Sequence, residues 1–297
     1  MILYGTNPIA WSNDDDWSIG DHLSLEDCLS DCRTIGFDGI EKGHKMPDAG
    51  TALRAKLGEY GLRFAAGWFS TNLLVNDLDT ELANLKVWID FTKAAGGTHI
   101  NACECSNTVH GNDGVPVNDR PIMTDAQWAR FSQGYEALSA LAAHEGLRMG
   151  YHHHMGTIIE SGADIERFMD MAGPYTRLLL DTGHAHFGGA DPGVLADKYM
   201  DRVTHIHCKN IRPAIMKQVR DESLSFLEGV RRGAFTVPGD PEGCIDFEPV
   251  LRIAAERGYE GWVVIEAEQD SARYHPLEYQ GLGLKTLRRI AEEVGLH

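Results

Sequence analysis

Five times along this chain of 297 residues, a run with an apolar helical stripe stops at a glycine and a short apolar run begins at once. The pattern stands at Gly36 in "LSDCRTIGFDGIEKG", at Gly61 in "LRAKLGEYGLRFAAGWF" and at Gly96 and Gly97 in "WIDFTKAAGGTHINAC". It returns at Gly146 in "LSALAAHEGLRMGYHHH" and at Gly258 in "LRIAAERGYEGWVVIEAE". The cause is the same each time. A helix C-terminus closes on a left-handed residue, which glycine supplies without Cβ strain, and the chain passes straight into a strand.

With the remaining apolar runs, eight strands are predicted: 2–7, 38–43, 63–69, 98–103, 147–153, 176–182, 203–209 and 261–267. Helices are predicted at 24–36, 51–60, 77–96, 125–145, 162–172, 191–200, 247–258 and 279–295, with an additional one near 221–232. Ser24 with Asp27, and Thr124 with Gln127, have capping-box spacing. Strand–helix alternation calls for a parallel sheet. Eight units in this length fit a closed (β/α)8 TIM barrel, an α/β fold, as one domain over 1–297. A doubly wound open sheet would place a glycine-rich phosphate loop after its first strand, where "GTNPIAWSNDD" stands instead.

Charge narrows the partners. Lys and Arg number 27 against 44 Asp and Glu, a net charge of −17, which argues against nucleic acid and against anionic lipid. No run approaches the roughly 18 apolar residues of a membrane span. The start "MILYGTNPIAW" lacks a basic segment followed by a long apolar one, so the expected location is cytoplasmic. The six cysteines form no C-x-x-C pair and are expected as free thiols, Cys105 being the one placed for reactivity.

In such a barrel the chemistry sits where strands end. Those ends carry Glu41 and Lys42, Trp68, Asn101 with Glu104 just beyond, and the triplet His152, His153, His154. Then come Asp181 and His184, the set His205, His207 and Lys209, and finally Glu266 and Glu268. Side chains alternate along a strand, so His152 and His154 share one face and His153 takes the other. With Tyr151 and His153 toward the helices, His152 and His154 face the barrel axis. Asp181, His207 and Glu266 end separate strands, and unpaired acids are expensive to bury. With a further histidine they form a mixed nitrogen–oxygen set that suits manganese, cobalt or zinc. Glu41, His184 and Lys209 are candidates to orient those ligands. His99, His153, His186 and His205 are expected to be scaffold.

"Asp181-Thr-Gly-His184", "His207-Cys-Lys209" and Glu266 resemble the xylose isomerase-like barrels, a group of metal-dependent isomerases, epimerases and dehydratases. A narrower resemblance is carried by "NPIAWSNDD" (7–15), "GFDGIEKGHKMP" (36–47), "YHHHMGTIIE" (151–160), "FTVPGD" (235–240), and "VVIEAEQD" (263–270) with "PLEY" (276–279). These stretches resemble the inosose dehydratases, from residue 5 to about 280. The resemblance implies a hydro-lyase of myo-inositol catabolism. Its substrate would be a cyclic polyol ketone, scyllo-inosose (2-keto-myo-inositol), and its product a trihydroxycyclohexane-1,2-dione. It implies a divalent metal, cobalt or manganese before zinc or magnesium. It also implies glutathione, for which no residue here independently shows a site. Related epimerases place a glutamate near the end of the fifth strand, where His152 stands here. The implied metal set is His152, Asp181, His207 and Glu266, with His154 as the alternative to His152 and Glu104 as another acid. The implied acid–base groups are His154, His184, Lys209 and Glu266. Asn7, Asn13, Lys42 and Glu268 are candidates for binding hydroxyls, each of which needs a partner when buried.

Three other functions compete with this one. A sugar epimerase or isomerase would share the metal site. An endonuclease-like relative is opposed by the acidic surface, and a non-catalytic sugar-binding barrel by the density of titratable groups at the strand ends. The sequence is compatible with a homo-oligomer.

Overall fold

The computed structural model describes residues 1–297. Nine strands form one parallel sheet: β1 (Ile2–Thr6), β2 (Gly39–Ile40), β3 (Arg63–Phe64), β4 (Trp68–Thr71), β5 (His99–Glu104), β6 (Arg148–His152), β7 (Arg177–Asp181), β8 (Val203–His207) and, last in the chain, β11 (Gly261–Ile265). Their order is β3-β2-β1-β11-β8-β7-β6-β5-β4. Between β8 and β11 the short β9 (Asn210–Ile211) and β10 (Phe235–Thr236) pair antiparallel outside it.

The two edges of this sheet, β3 and β4, are neighbours in the chain, separated by Ala65, Ala66 and Gly67. Ala65 N–H donates to the Ile40 carbonyl and Lys42 N–H to the Ala66 carbonyl, while Asn101 N–H donates to the Gly67 carbonyl. The single strand expected at 63–69 is thus broken, one half pairing with β2 and the other with β5. The break joins the edges and closes an eight-unit barrel. Gly67 makes the bend. A Cβ there would stand 2.9 Å from the Trp88 ring and 3.2 Å from Lys42 Cβ.

Helices surround the barrel: α1 (Leu25–Ile35), α2 (Gly50–Glu59), α3 (Leu78–Ala94), α4 (Asp125–His144), α5 (Gly162–Met171), α6 (Thr182–Phe187), α7 (Pro192–Tyr199), α8 (Pro213–Asp221), α9 (Phe226–Arg232), α10 (Glu248–Glu256) and α11 (Pro276–Val294). Both expected capping boxes form, and Ser161 with Asp164 forms a third. Two helices escape the sequence pattern. α6 is six residues long, too short for a periodic stripe, and starts on Asp181, whose carboxylate caps the His184 N–H. The helix expected near 221–232 is a pair, α8 and α9, divided at Ser223, which adopts φ +51°.

The layer between barrel and helices fixes the facing of β6. Tyr151 is fully buried against Phe131 and Tyr135 of α4 and Phe168 of α5, with ring centroids 4.7–5.7 Å away. Each such aromatic pair adds about 0.5–1.5 kcal/mol beyond simple burial. Tyr151 therefore anchors the outward face, and His152 must turn inward. No helix is long and apolar enough to cross a membrane, and all six cysteines are free.

Candidate active site

At the C-terminal ends of the strands lies a cavity of about 270 Å³ whose wall is polar: of 14 lining residues only Ile9 and Trp68 are apolar. A larger hollow of about 480 Å³ opens at the opposite mouth, among Arg148, Arg177 and Tyr259. It gathers no histidine–carboxylate set, so the chemistry belongs to the smaller cavity.

Strand alternation decides the histidine triplet. His152 and His154 line the cavity and His153 does not. His153 is fully buried, and its Nε2 accepts the Asp181 backbone N–H at 3.3 Å. Burial pushes its imidazole down to about 3, so it is neutral, as that acceptor role requires.

The floor is a web of acids and imidazoles. Asp181 Oδ2 lies 3.3 Å from His152 Nε2, 3.5 Å from His207 Nδ1 and 3.6 Å from Lys209 Nζ. Glu266 Oε2 lies 2.9 Å from both His207 Nδ1 and Lys209 Nζ. Asp181, His207 and Glu266 thus converge from three strands. One potential ligand atom from each of His152, Asp181, His184 and Glu266 lies within 4.8 Å of the others, so His184 joins this group, while His207 groups with Glu41 and His205.

Glu41 holds the web from the side. Its Oε1 accepts from Asn101 at 2.6 Å and lies 3.0 Å from His207 Nε2, and its Oε2 accepts from Asn7 at 2.7 Å. His205 Nε2 also approaches Oε1, at 2.9 Å, but without hydrogen-bond alignment. Burial alone would raise the Glu41 pKa, yet His207 and His205 outweigh it and keep the group a carboxylate. Burial likewise disfavours the imidazolium of His207, and Glu266 and Glu41 overcome that and hold its pKa well above the ordinary range.

Several residues predicted for the site stand elsewhere. Asn13 is buried but does not line the cavity. Its side-chain oxygen accepts from the Asp15 and Asp16 N–H groups, so it shapes the loop after β1. It is the following Asp14 and Asp15 that reach the wall. An asparagine in a tight loop bonds to its own backbone first. Asp181, His184 and Lys209 also lie behind the wall. Lys209 Nζ is 2.7 Å from His184 Nε2 and 2.6 Å from Glu268 Oε1. Burial works against its charge, and Asp181, Glu266 and Glu268 more than compensate, raising its pKa. Glu104, the extra acid considered above, is fully buried outside the cavity and accepts from Thr71 and the Leu73 N–H. Asn7, Lys42 and Glu268 do line the wall.

Residues 29–290 match the xylose isomerase-like TIM barrel family. The chain belongs to that family. Within it the chain groups with inosose dehydratases. It is 40% identical over 292 residues to the inosose dehydratase of Erwinia tasmaniensis, covering 97% of this chain and 96% of that protein. It is 37% identical over 294 residues to the rhizopine catabolism protein MocC of Rhizobium meliloti, covering 99% of this chain and 90% of that protein. Among solved structures, IOLI protein with a binding zinc atom superposes with a TM-score of 0.70 at 15% identity, over 98% of this chain and 99% of that one, which speaks to the fold.

This xylose isomerase-like barrel also places His110 on the wall, a residue that sequence reasoning missed. It sits in the loop between β5 and α4, where no strand period points to it. The one available signal was its position downstream of the β5 end.

Proposed function

We propose that the protein is a metal-dependent hydro-lyase that removes water from scyllo-inosose to give a trihydroxycyclohexane-1,2-dione. The observation that carries this is the cavity wall itself. Five carboxylates (Asp14, Asp15, Glu41, Glu266, Glu268) and several histidines surround about 270 Å³, with Lys42 the one lysine and no arginine. Such a wall binds a small uncharged polyol and repels phosphate. The identity to inosose dehydratases along nearly the whole chain supports the same choice over an epimerase or isomerase.

His152, Asp181, His207 and Glu266 are the proposed ligands of a divalent cation, and the mixed nitrogen–oxygen set fits cobalt or manganese. The zinc of the IOLI protein is in keeping with such a site. A bound cation supplies Lewis-acid polarisation of the ketone and the hydroxyl beside it. The protein's own groups do the proton work. The ketone acidifies the adjacent C–H. His154 Nδ1 donates to the Met155 carbonyl at 2.8 Å, which leaves Nε2 with its lone pair as base. Burial holds this imidazole neutral, as a base must be. On the next carbon the C–O bond breaks and the hydroxyl leaves as water, taking a proton from Glu268, whose pKa burial raises to about 7 so that it holds one to give. One oxygen of Glu268 is anchored by Lys209, and the other has no protein partner. Lys209 thus acts through Glu268, and Asn7 and Lys42 bind hydroxyls. We read residues 1–297 as one domain, because the main apolar core of 58 buried residues runs from Ile2 to Leu296, with only two smaller clusters beside it.

The test is direct. Protein loaded with manganese or cobalt is mixed with scyllo-inosose and the enolic dione absorbance is followed. Epimerisation of a ketohexose with no dehydration of scyllo-inosose rejects the proposal in favour of the epimerase.

A further inference from the structure

His110 has a built place and an unused side chain. Its ring lines the cavity, 5.0 Å from the ring of His154 and 6.1 Å from that of Trp68. Its Nδ1 is buried with no hydrogen-bond partner, and its Nε2, which is not buried, bonds no protein group either. Burial pushes its pKa down to about 4, so the ring is neutral.

The backbone beneath that ring is held on both sides. Val109 N–H donates to the Gly156 carbonyl at 2.9 Å. Gly156 has φ +72°, and a Cβ on it would stand 2.9 Å from the His110 nitrogen. No other residue fits there, so the loop rests on the turn that follows His154. Three residues on, Asp113 accepts from Ser225 and from Arg231. His153 has one ring nitrogen paired, by the Asp181 N–H, whereas neither ring nitrogen of His110 bonds a protein group.

The order outward from Asp181, buried beneath the wall, gives the role. Asp181 is 3.3 Å from His152, the His152 ring is 5.6 Å from that of His154, and His110 comes one ring farther. A six-membered ring held by its ketone near Asp181 presents its opposite hydroxyls beyond His154.

We propose that His110 is a specificity-determining residue that hydrogen-bonds a substrate hydroxyl on the side of the ring remote from the ketone. This rests on the keto-polyol assignment above. A neutral imidazole offers one donor and one acceptor, which matches a hydroxyl and gives a charged group no advantage.

The experiment compares wild type, His110→Phe and His110→Gln, each loaded with manganese. The substrates are scyllo-inosose and a deoxy analogue lacking one hydroxyl remote from the ketone. For His110→Phe, the KM for scyllo-inosose should rise about tenfold or more while kcat changes far less, because a ground-state hydrogen bond is lost. Its preference for scyllo-inosose over the analogue should collapse, and His110→Gln should restore part of both. A folded His110→Phe protein that keeps the wild-type KM and preference overturns the proposal. So does one in which kcat falls while preference is kept. Failure of the wild type itself to dehydrate scyllo-inosose is a separate result: it removes the function assigned above, and this proposal falls with it.

Discussion

His153 accepts the backbone N–H of Asp181 at 3.3 Å, so the histidine turned away from the cavity braces the strand that ends in the acid buried beneath its wall. Its neighbours in the triplet face the cavity, and the three therefore differ in what their loss removes. His153→Ala leaves a buried N–H unpaired and should lower stability by roughly 1–3 kcal/mol, with turnover per folded molecule mostly kept. His152→Ala should lose bound metal. His154→Ala should keep its metal and lose about two to four orders of magnitude in kcat. Metal content, thermal midpoint and rate for the three variants decide this. A stable but inactive His153→Ala beside an active His152→Ala would reverse the assignment.

Glu41 invites a different substitution. Its two oxygens face the amide groups of Asn7 and Asn101, and both amides donate to it. Glu41→Gln keeps the shape but turns one acceptor into a donor that points at another donor. The loss should spread to His207, whose Nε2 sits 3.0 Å from Glu41 Oε1. Metal affinity measured by competition with a chelator should fall about 10- to 100-fold. Unchanged affinity would mean that Glu41 organises the wall without orienting a ligand.

Periodicity made part of the fold and of the site legible in the sequence. Strand alternation separates His152 and His154 from His153 because Tyr151, one residue earlier, has an aromatic layer to fill. Helix-to-glycine turns locate the barrel units because each needs a left-handed stop, as at Gly36 with φ +93°. Loops have no period. Asn13 looked like a hydroxyl binder but spends its oxygen on the Asp15 and Asp16 N–H groups, and His110 left no local trace. The broken strand at 65–67 was equally silent, since the Trp88 ring that leaves no room for a Cβ at Gly67 is distant in the chain.

The far end of the barrel gives a pH dependence. His99 is buried and its Nε2 has no partner. Burial first, and then His205 and Arg148, push its pKa from 6.5 down to about 3. The folded chain therefore refuses a proton that the unfolded chain accepts. Stability is complete above pH 6.5 and declines as pH falls from there toward about 3. Between pH 7 and pH 5 this one group should remove about 2 kcal/mol, and His99→Gln should lose that much less over the same interval. Chemical denaturation of both proteins at the two pH values measures it. Equal losses would show that His99 takes up its proton in the folded state.

The cavity mouth is tied by a single guanidinium. Arg231 of α9 reaches Asp16 in the loop after β1 at 2.7 Å and Asp113 in the loop after β5 at 2.7 and 2.9 Å. Asp14 and Asp15, which precede Asp16, line the cavity, as does His110, three residues before Asp113. One side chain on a helix thus sets the spacing of two loops that carry the wall. Arg231 is partly exposed, so salt screens these ion pairs and their effect on global stability should be small. Binding is where the loss should appear. Arg231→Ala should raise KM several-fold, with the thermal midpoint nearly unchanged and kcat reduced much less than KM rises. Added salt should raise the wild-type KM toward that of Arg231→Ala and leave the variant's KM nearly constant, since the variant has no clasp left to screen. If salt shifts both KM values equally, the clasp does not govern the mouth.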